Sequence, residues 1–202
     1  MRRIANTSSR VGGRIARSGT PRDGGWARYS STSGGLRSAA VRSLEPKPVA
    51  ASSTVLTRLF SPRESNASGN VHGGEIMRLI DECAGVSAMR HARARTVTAR
   101  IDELSFLAPV YVGDVVVCLG SVNDVGETSM EVGVRVDAEN PITGEKRHVA
   151  SAYLVFVALD ETGKPTRVPP IQAETPVEHR RQAKAKLRRA HRLARTAGAT
   201  SG

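Results

Sequence analysis

Cysteine is almost missing from this 202-residue chain: Cys83 and Cys118 are the only two, and neither sits in a C-x-x-C pair. No disulfide framework can be built, and two buried, reduced thiols in a reducing compartment are the expectation. No apolar run approaches about 18 residues and no secretory h-region occurs, which argues against membrane spanning and secretion. The usual nucleophile and phosphate signatures are absent as well. There is no G-x-S-x-G, no G-x-G-x-x-G after a strand, and Gly163-Lys164 lacks the upstream glycine of a P-loop. The five histidines, His72, His91, His148, His179 and His191, show neither i, i+4 pairing nor cysteine company. A metal site is therefore not expected, and no organic cofactor is called for.

Charge is abundant but unevenly placed. The formal net charge is +11, yet residues 1–50 carry +8, residues 176–202 carry +7, and residues 51–175 carry −4. Basicity confined to the two ends does not make a basic groove, so nucleic-acid binding by the central region is unsupported. Residues 1–50 are rich in Arg, Ser, Gly and Ala with no sustained apolar period, and residues 1–52 are expected to be a disordered basic extension. The same composition suits a mitochondrial transit peptide, with Trp26–Ser31 as a processing neighbourhood; otherwise the chain is expected in the cytoplasm. Residues 173–202 are expected to be a basic helix or tail with a solvated face, its charge also suited to a ligand's phosphates, acidic lipid or RNA.

Between these ends, residues 53–172 read as one α+β domain. Val55–Phe60 suits a strand ending before Pro62. A helix is predicted from about Gly74 to about His91, with Ile76, Ile80, Cys83, Ala84 and Ser87 on an apolar stripe and Glu75, Arg78 and Glu82 on a solvated one. Met77, Leu79, Val86 and Ala88 widen the apolar surface, so the helix should be enclosed. Four strands follow, over 96–101, 114–122, 128–136 and 148–159, joined by hairpin-length turns such as Asn140–Gly144. Short turns imply antiparallel pairing, so one helix of roughly 25 Å must serve a five-stranded sheet and can cover one face. The other face or the sheet edge is left for a second subunit, and an obligate oligomer is predicted.

The polar turn Ser65–Gly74, running into that helix, is the candidate site. Glycines and the free N–H groups of a helix start can polarise a carbonyl or hold an anion. Ser61–Met77 followed by Ile80–Gly85, then Ser105–Asp114, Val125–Val132 and Ala152–Ala158, resembles the signature of hotdog-fold acyl-CoA thioesterases of the cytosolic acyl-CoA hydrolase type. The resemblance covers about residues 53–170. It implies a long central helix wrapped by a curved antiparallel sheet, dimers that join two sheets, and a homohexamer built as a trimer of dimers. It also implies an acyl-CoA substrate at the dimer interface, its thioester near the helix start.

In family terms Asn70 occupies the catalytic acid/amide position, where bacterial short-chain members typically carry Asp. An amide cannot take a proton from water, so Asn70 can only orient the water or the thioester oxygen. Asp81, on the Met77 and Ala84 side of the helix, is then the best candidate base. Gly73 and Gly74 would donate oxyanion-type N–H groups, with His72 beside the thioester. By resemblance Gly126, Thr128 and Ser129 contact the CoA arm, while Phe106 and Leu107 wall an acyl channel. Two other readings stand beside the hydrolase: a non-catalytic acyl-CoA sensor, and an enoyl-thioester hydratase using a His72 dyad.

Overall fold

The computed structural model describes residues 44–199, with side chains through Arg195. The elements in chain order are β1 (Lys47–Pro48), β2 (Thr54–Leu59), α1 (Gly73–Ala92), β3 (Arg95–Phe106), β4 (Val115–Val125), β5 (Ser129–Glu139), β6 (Lys146–Leu159), β7 (Ile171–Gln172) and α2 (Pro176–Ala199). Five strands form one antiparallel sheet in the order β2-β4-β5-β6-β3. This is the α+β arrangement anticipated, with a central helix against a five-stranded sheet.

The apolar stripe of α1 meets the inward-facing side chains of the sheet. Ile76, Leu79, Ile80, Cys83, Ala84, Ser87 and Ala88 are buried on the helix, opposite Val116, Cys118 and Val122 of β4, Met130, Val132, Val134 and Val136 of β5, and Leu154 and Phe156 of β6. The period-2 alternation of β5 is what presents those four residues together. Each fully buried aliphatic side chain of this kind contributes about 1.5–3 kcal/mol. Both thiols are free and buried in this layer. On the far side of the helix, Arg78 pairs with Glu75 at 2.9 Å and Glu82 at 3.8 Å, the spacing that made this stripe read as solvated. Met77 is exposed, so the apolar surface of α1 is narrower than expected there.

Three expectations need correction. Order begins before Ser53: β1 pairs with β7, Val49 is buried, and the Ser52 hydroxyl donates to the Val49 carbonyl while accepting from the Val122 amide at 3.0 Å. The transit-peptide neighbourhood at 26–31 lies outside the described residues. Strand β3 runs to Phe106 rather than Ile101, because the acidic pair Asp102-Glu103 that breaks its alternation is absorbed by register shifts between Thr98 and Arg100 and between Ile101 and Glu103.

The third correction concerns the outer face of the sheet, which is not left wholly to a second copy. Helix α2 lies on it; Arg180, Arg181, Lys184 and Lys186 are exposed as expected, but Arg188, Arg189 and Arg192 turn inward. Arg188 holds the buried Glu131 through two bonds, 2.6 and 3.2 Å, and stacks on Tyr153 at 3.7 Å. Arg192 pairs with Asp102 and reaches Glu131 at 3.4 Å, while Arg189 donates to the Val125 carbonyl. A charge pattern along one helix cannot reveal acidic partners about 60 to 90 residues earlier in the chain.

Strand β3 is an edge with no pairing partner on its outer side among the described residues. It exposes Val97, Ile101 and Phe106, between 43 and 51% accessible, an apolar edge of the kind natural sheets cover. No helix among the described residues is long and apolar enough to cross a membrane.

Candidate functional site

The turn before α1 is tied down by its own backbone. The Asn66 amide donates to the Asn70 carbonyl at 2.7 Å, the Gly69 amide donates to the Asn66 carbonyl at 3.0 Å, and Gly69 takes a φ of +78°, which favours glycine. Asn66 Oδ1 accepts from the amides of Ser68 (2.9 Å) and Asn70 (3.2 Å), an Asx arrangement. Those two bonds assign the carboxamide orientation: the oxygen faces the loop, so the Nδ2 amine faces away from it. Asn70 forms a bridge with Tyr111, and the Val71 amide donates to the Val110 carbonyl at 2.8 Å, which ties the turn to the segment between β3 and β4.

A cleft of about 370 Å³ opens beside the start of α1, lined by Asn66, Asn70, Val71, Gly73 and Ile76, and on the other side by Phe106 to Val110 and Val149. Four predicted site residues therefore meet here: Asn70, Gly73, Phe106 and Leu107. The Phe106 ring lies 3.6 Å from where a Gly73 Cβ would stand, so the glycine leaves the helix start open to the cleft. Phe106 and Leu107 are more than half exposed, as a wall would be.

The helix start divides its amides differently from the expectation. His72 is the N-cap, and its Nδ1 accepts from the Gly74 amide at 3.0 Å. Gly74 therefore has no free N–H to give a ligand, which corrects its predicted role, while the Gly73 amide meets no acceptor among the described residues. The cap turns the His72 ring toward the helix start through Nδ1, and the residue is exposed and outside the cleft lining.

Asp81 lies about 12 Å along α1 from Gly73, two turns on. It is half-buried and accepts from the Thr98 hydroxyl of β3 at 2.7 Å. Within one chain it does not line the cleft. Gly126, Thr128 and Ser129 are farther off. They form the β4–β5 hairpin, where the Gly126 amide donates to the Ser129 carbonyl and Arg189 sits against Gly126. Ser129 is level with Val157 and Val97, whereas Phe106 ends β3 seven steps along β6, roughly 23 Å away. The predicted CoA-arm residues and the cleft thus occupy opposite ends of one sheet.

Sequence reasoning missed Asn66 and Thr98. The signal for Asn66 was available in the Asn-x-Ser-Gly turn, whose first residue characteristically turns its carboxamide oxygen back onto the loop. Thr98 had no local signal, since its partner is a helix residue met only through folding. Among the described residues no group of three or more His, Cys, Asp and Glu side chains is placed to hold a metal ion.

Comparison with known proteins follows the same line. A family model described as the thioesterase superfamily matches residues 68–145. Over 127 residues the chain is 42% identical to the uncharacterised acyl-CoA thioester hydrolase YkhA of Bacillus subtilis (strain 168), a match spanning 63% of this chain and 74% of that protein. Among solved structures, an apo-hexameric acyl-CoA thioesterase is 40% identical with a TM-score of 0.73, covering 76% of this chain and 98% of that one. An acyl-CoA hydrolase from Staphylococcus aureus in complex with butyryl coenzyme A, coenzyme A and coenzyme A disulfide is 35% identical with a TM-score of 0.71, covering 77% of this chain and 94% of that one. With its helix-start cleft, its single wrapped helix and these likenesses, the chain belongs to the thioesterase superfamily, as a hotdog-fold member of the acyl-CoA thioester hydrolases.

Proposed function

We propose that the protein hydrolyses acyl-CoA to a carboxylic acid and coenzyme A, with its reacting groups drawn from two copies of the chain. The observation that carries this reading is the cleft at the start of α1, where the Asn66 amine and the Gly73 amide are both open. Both residues line the cleft, and donors of this kind act most strongly on a thioester oxygen as it gains negative charge. Water attacks the carbonyl carbon, a carboxylate takes its proton, and collapse of the tetrahedral intermediate breaks the C–S bond and expels the CoA thiolate.

Asp81 is the proposed base, supplied by the partner subunit. Thr98, its hydrogen-bond partner, stands eight residues before Phe106 on β3 of its own chain, about 20 Å along the sheet given the two register shifts. Antiparallel pairing of two β3 edges about the middle of the strand shortens that offset to roughly three residues, about 10 Å. It also covers Val97 and Ile101. Solved structures of the Staphylococcus aureus hydrolase include alanine variants at an asparagine, at an aspartate 15 residues later and at a threonine 17 beyond that. Asn66, Asp81 and Thr98 have the same spacing, which supports assigning the amide role to Asn66, with Asn70 beside it in the cleft.

Phe106 and Leu107 are proposed to bound the acyl chain. The hairpin residues Gly126, Thr128 and Ser129 reach a CoA arm only if another copy brings them to the cleft, as a hexamer would. No metal or organic cofactor enters the scheme, and the two reduced thiols suit the cytoplasm. A hydratase dyad is disfavoured because His72 Nδ1 is committed to Gly74.

Free-thiol release from a panel of acyl-CoAs tests the reading. Wild type is expected to turn over, and Asn66→Ala and Asp81→Ala each to lose most activity. When the two inactive variants are mixed through unfolding and refolding, random pairing regenerates one intact site per heterodimer, restoring about a quarter of wild-type activity. No turnover by wild type sinks the hydrolase. No recovery on mixing sinks the shared site.

A further inference from the structure

The segment between β3 and β4 walls the cleft through Ala108, Pro109 and Val110, and it is held from outside by one side chain. Arg147 of β6 donates through Nε to the Pro109 carbonyl at 3.1 Å, pairs through its other arm with the Asp114 carboxylate, and lies 4.6 Å over the Tyr111 ring. Asp114 is buried, 4% accessible at its side chain, and it also accepts from the Tyr111 amide at 2.8 Å. The turn is closed by the Asp114 amide donating to the Tyr111 carbonyl, with Gly113 at a φ of +97°. Tyr111 in turn bridges Asn70, and Val110 accepts from Val71. One guanidinium therefore spans both walls: its own strand contributes Val149 to the cleft, and its three contacts hold the opposite side.

We propose that Arg147 is a positioning residue that sets the width of the cleft and thereby the length of acyl chain it accepts. This rests on the hydrolase reading above. A planar fork can satisfy a carbonyl, a carboxylate and an aromatic face at once, and a lysine ammonium cannot. Without the fork the segment keeps its ties to the Asn70 turn, the Asp114 turn bonds and the Leu107 amide's bond to the Val149 carbonyl at 2.9 Å, but the Pro109 carbonyl and the Tyr111 ring lose their hold from β6, and that stretch can shift relative to Val149. A pocket selects chain length by the fit of its walls, each methylene being worth about 10- to 200-fold when the walls are rigid.

The test is kcat/KM across even-numbered saturated acyl-CoAs from two to sixteen carbons, for wild type, Arg147→Lys and Tyr111→Leu. Both variants keep a charged or buried partner for Asp114, and folding is checked by thermal melting. The ratio of the preferred chain over one four carbons longer is expected to fall at least fivefold in both, with kcat on the preferred chain changed less than threefold. A common fall across every chain length, or an unchanged profile in folded variants, overturns the assignment. If wild type hydrolyses no acyl-CoA, the hydrolase reading fails first and the inference falls with it.

Discussion

Replacing Asn66 by Asp separates the structural work of this side chain from its proposed chemical work. The loop uses only the side-chain oxygen, which accepts from the Ser68 and Asn70 amides. A carboxylate of the same shape keeps both bonds and strengthens them by its charge. What Asp cannot do is donate. Loss of one donor to a developing oxyanion costs about 2.7–4 kcal/mol, or 10²- to 10³-fold in kcat. An added negative charge about 4 Å from that oxygen costs up to about 4 kcal/mol more at a near-surface effective dielectric. Asn66→Asp is therefore expected to melt within a degree or two of wild type while kcat falls at least 100-fold. Asn66→Ala loses the loop bonds as well, and both its melting temperature and its rate should drop. Asn70→Asp, whose side chain supports no bond in the loop, should change kcat less than tenfold. Thiol release under saturating acyl-CoA, beside a thermal melt, reads all three. An Asn66→Asp enzyme within threefold of wild type, or a 100-fold loss at Asn70→Asp alone, refutes the reasoning.

Other perturbations have defined signs. Thr98→Val removes the hydroxyl that holds the Asp81 carboxylate; a hydrogen bond to a charged group is worth about 1.5–3 kcal/mol, so kcat should fall about tenfold or more with KM little changed in steady-state assays. Arg188→Met removes the two shortest bonds to the buried Glu131 carboxylate, leaving Arg192 and Asn123 at 3.4 Å, and should cost up to about 3 kcal/mol in denaturant unfolding; Arg188→Met with Glu131→Leu should recover much of it. Burial holds the His91 pKa below its ordinary value of 6.5, against the opposing pull of the Pro169 carbonyl. The folded state thus favours the neutral ring, and the stability tied to it is complete above pH 6.5 and lost as pH falls below. Melting temperatures from pH 7.5 to 5 should decline in wild type, less steeply in His91→Gln; equal slopes would exclude His91 as the cause. Asp124 is pushed the other way, its pKa raised by burial despite Lys186 and Arg189, so its charged form weakens the fold as pH rises through that value. Asp124→Asn should raise the melting temperature at pH 7, with the gain closing in acid.

Local chemistry was sufficient to place the central helix and the cores of the five main-sheet strands, but not the β1–β7 pair or the second half of β3. Gly73 to Ala92 is helical because apolar residues recur at helical spacing, and β5 is a strand because Met130 to Val136 alternate. Both are properties of neighbours in sequence. The turn before α1 and the family signature were legible for the same reason. Charge misled where its partners were distant: Arg188, Arg189 and Arg192 read as a solvated run, yet they face Glu131, Asp124 and Asp102 across the sheet. Gly74 read as a free donor because sequence does not show that His72 folds back to cap it.

Sequence by itself determined the class of fold and named Asn70, Gly73 and Asp81 as candidate groups around a helix start. Tertiary structure alone decided which of them share a space. Asn66 joins Asn70 and Gly73 because an Asx turn aims its amine outward. Asp81 and the 126–129 hairpin stand apart because helix rise and strand spacing carry them about 12 to about 23 Å away. Distances of that size are set by the pairing of whole strands, and no short window of residues encodes them.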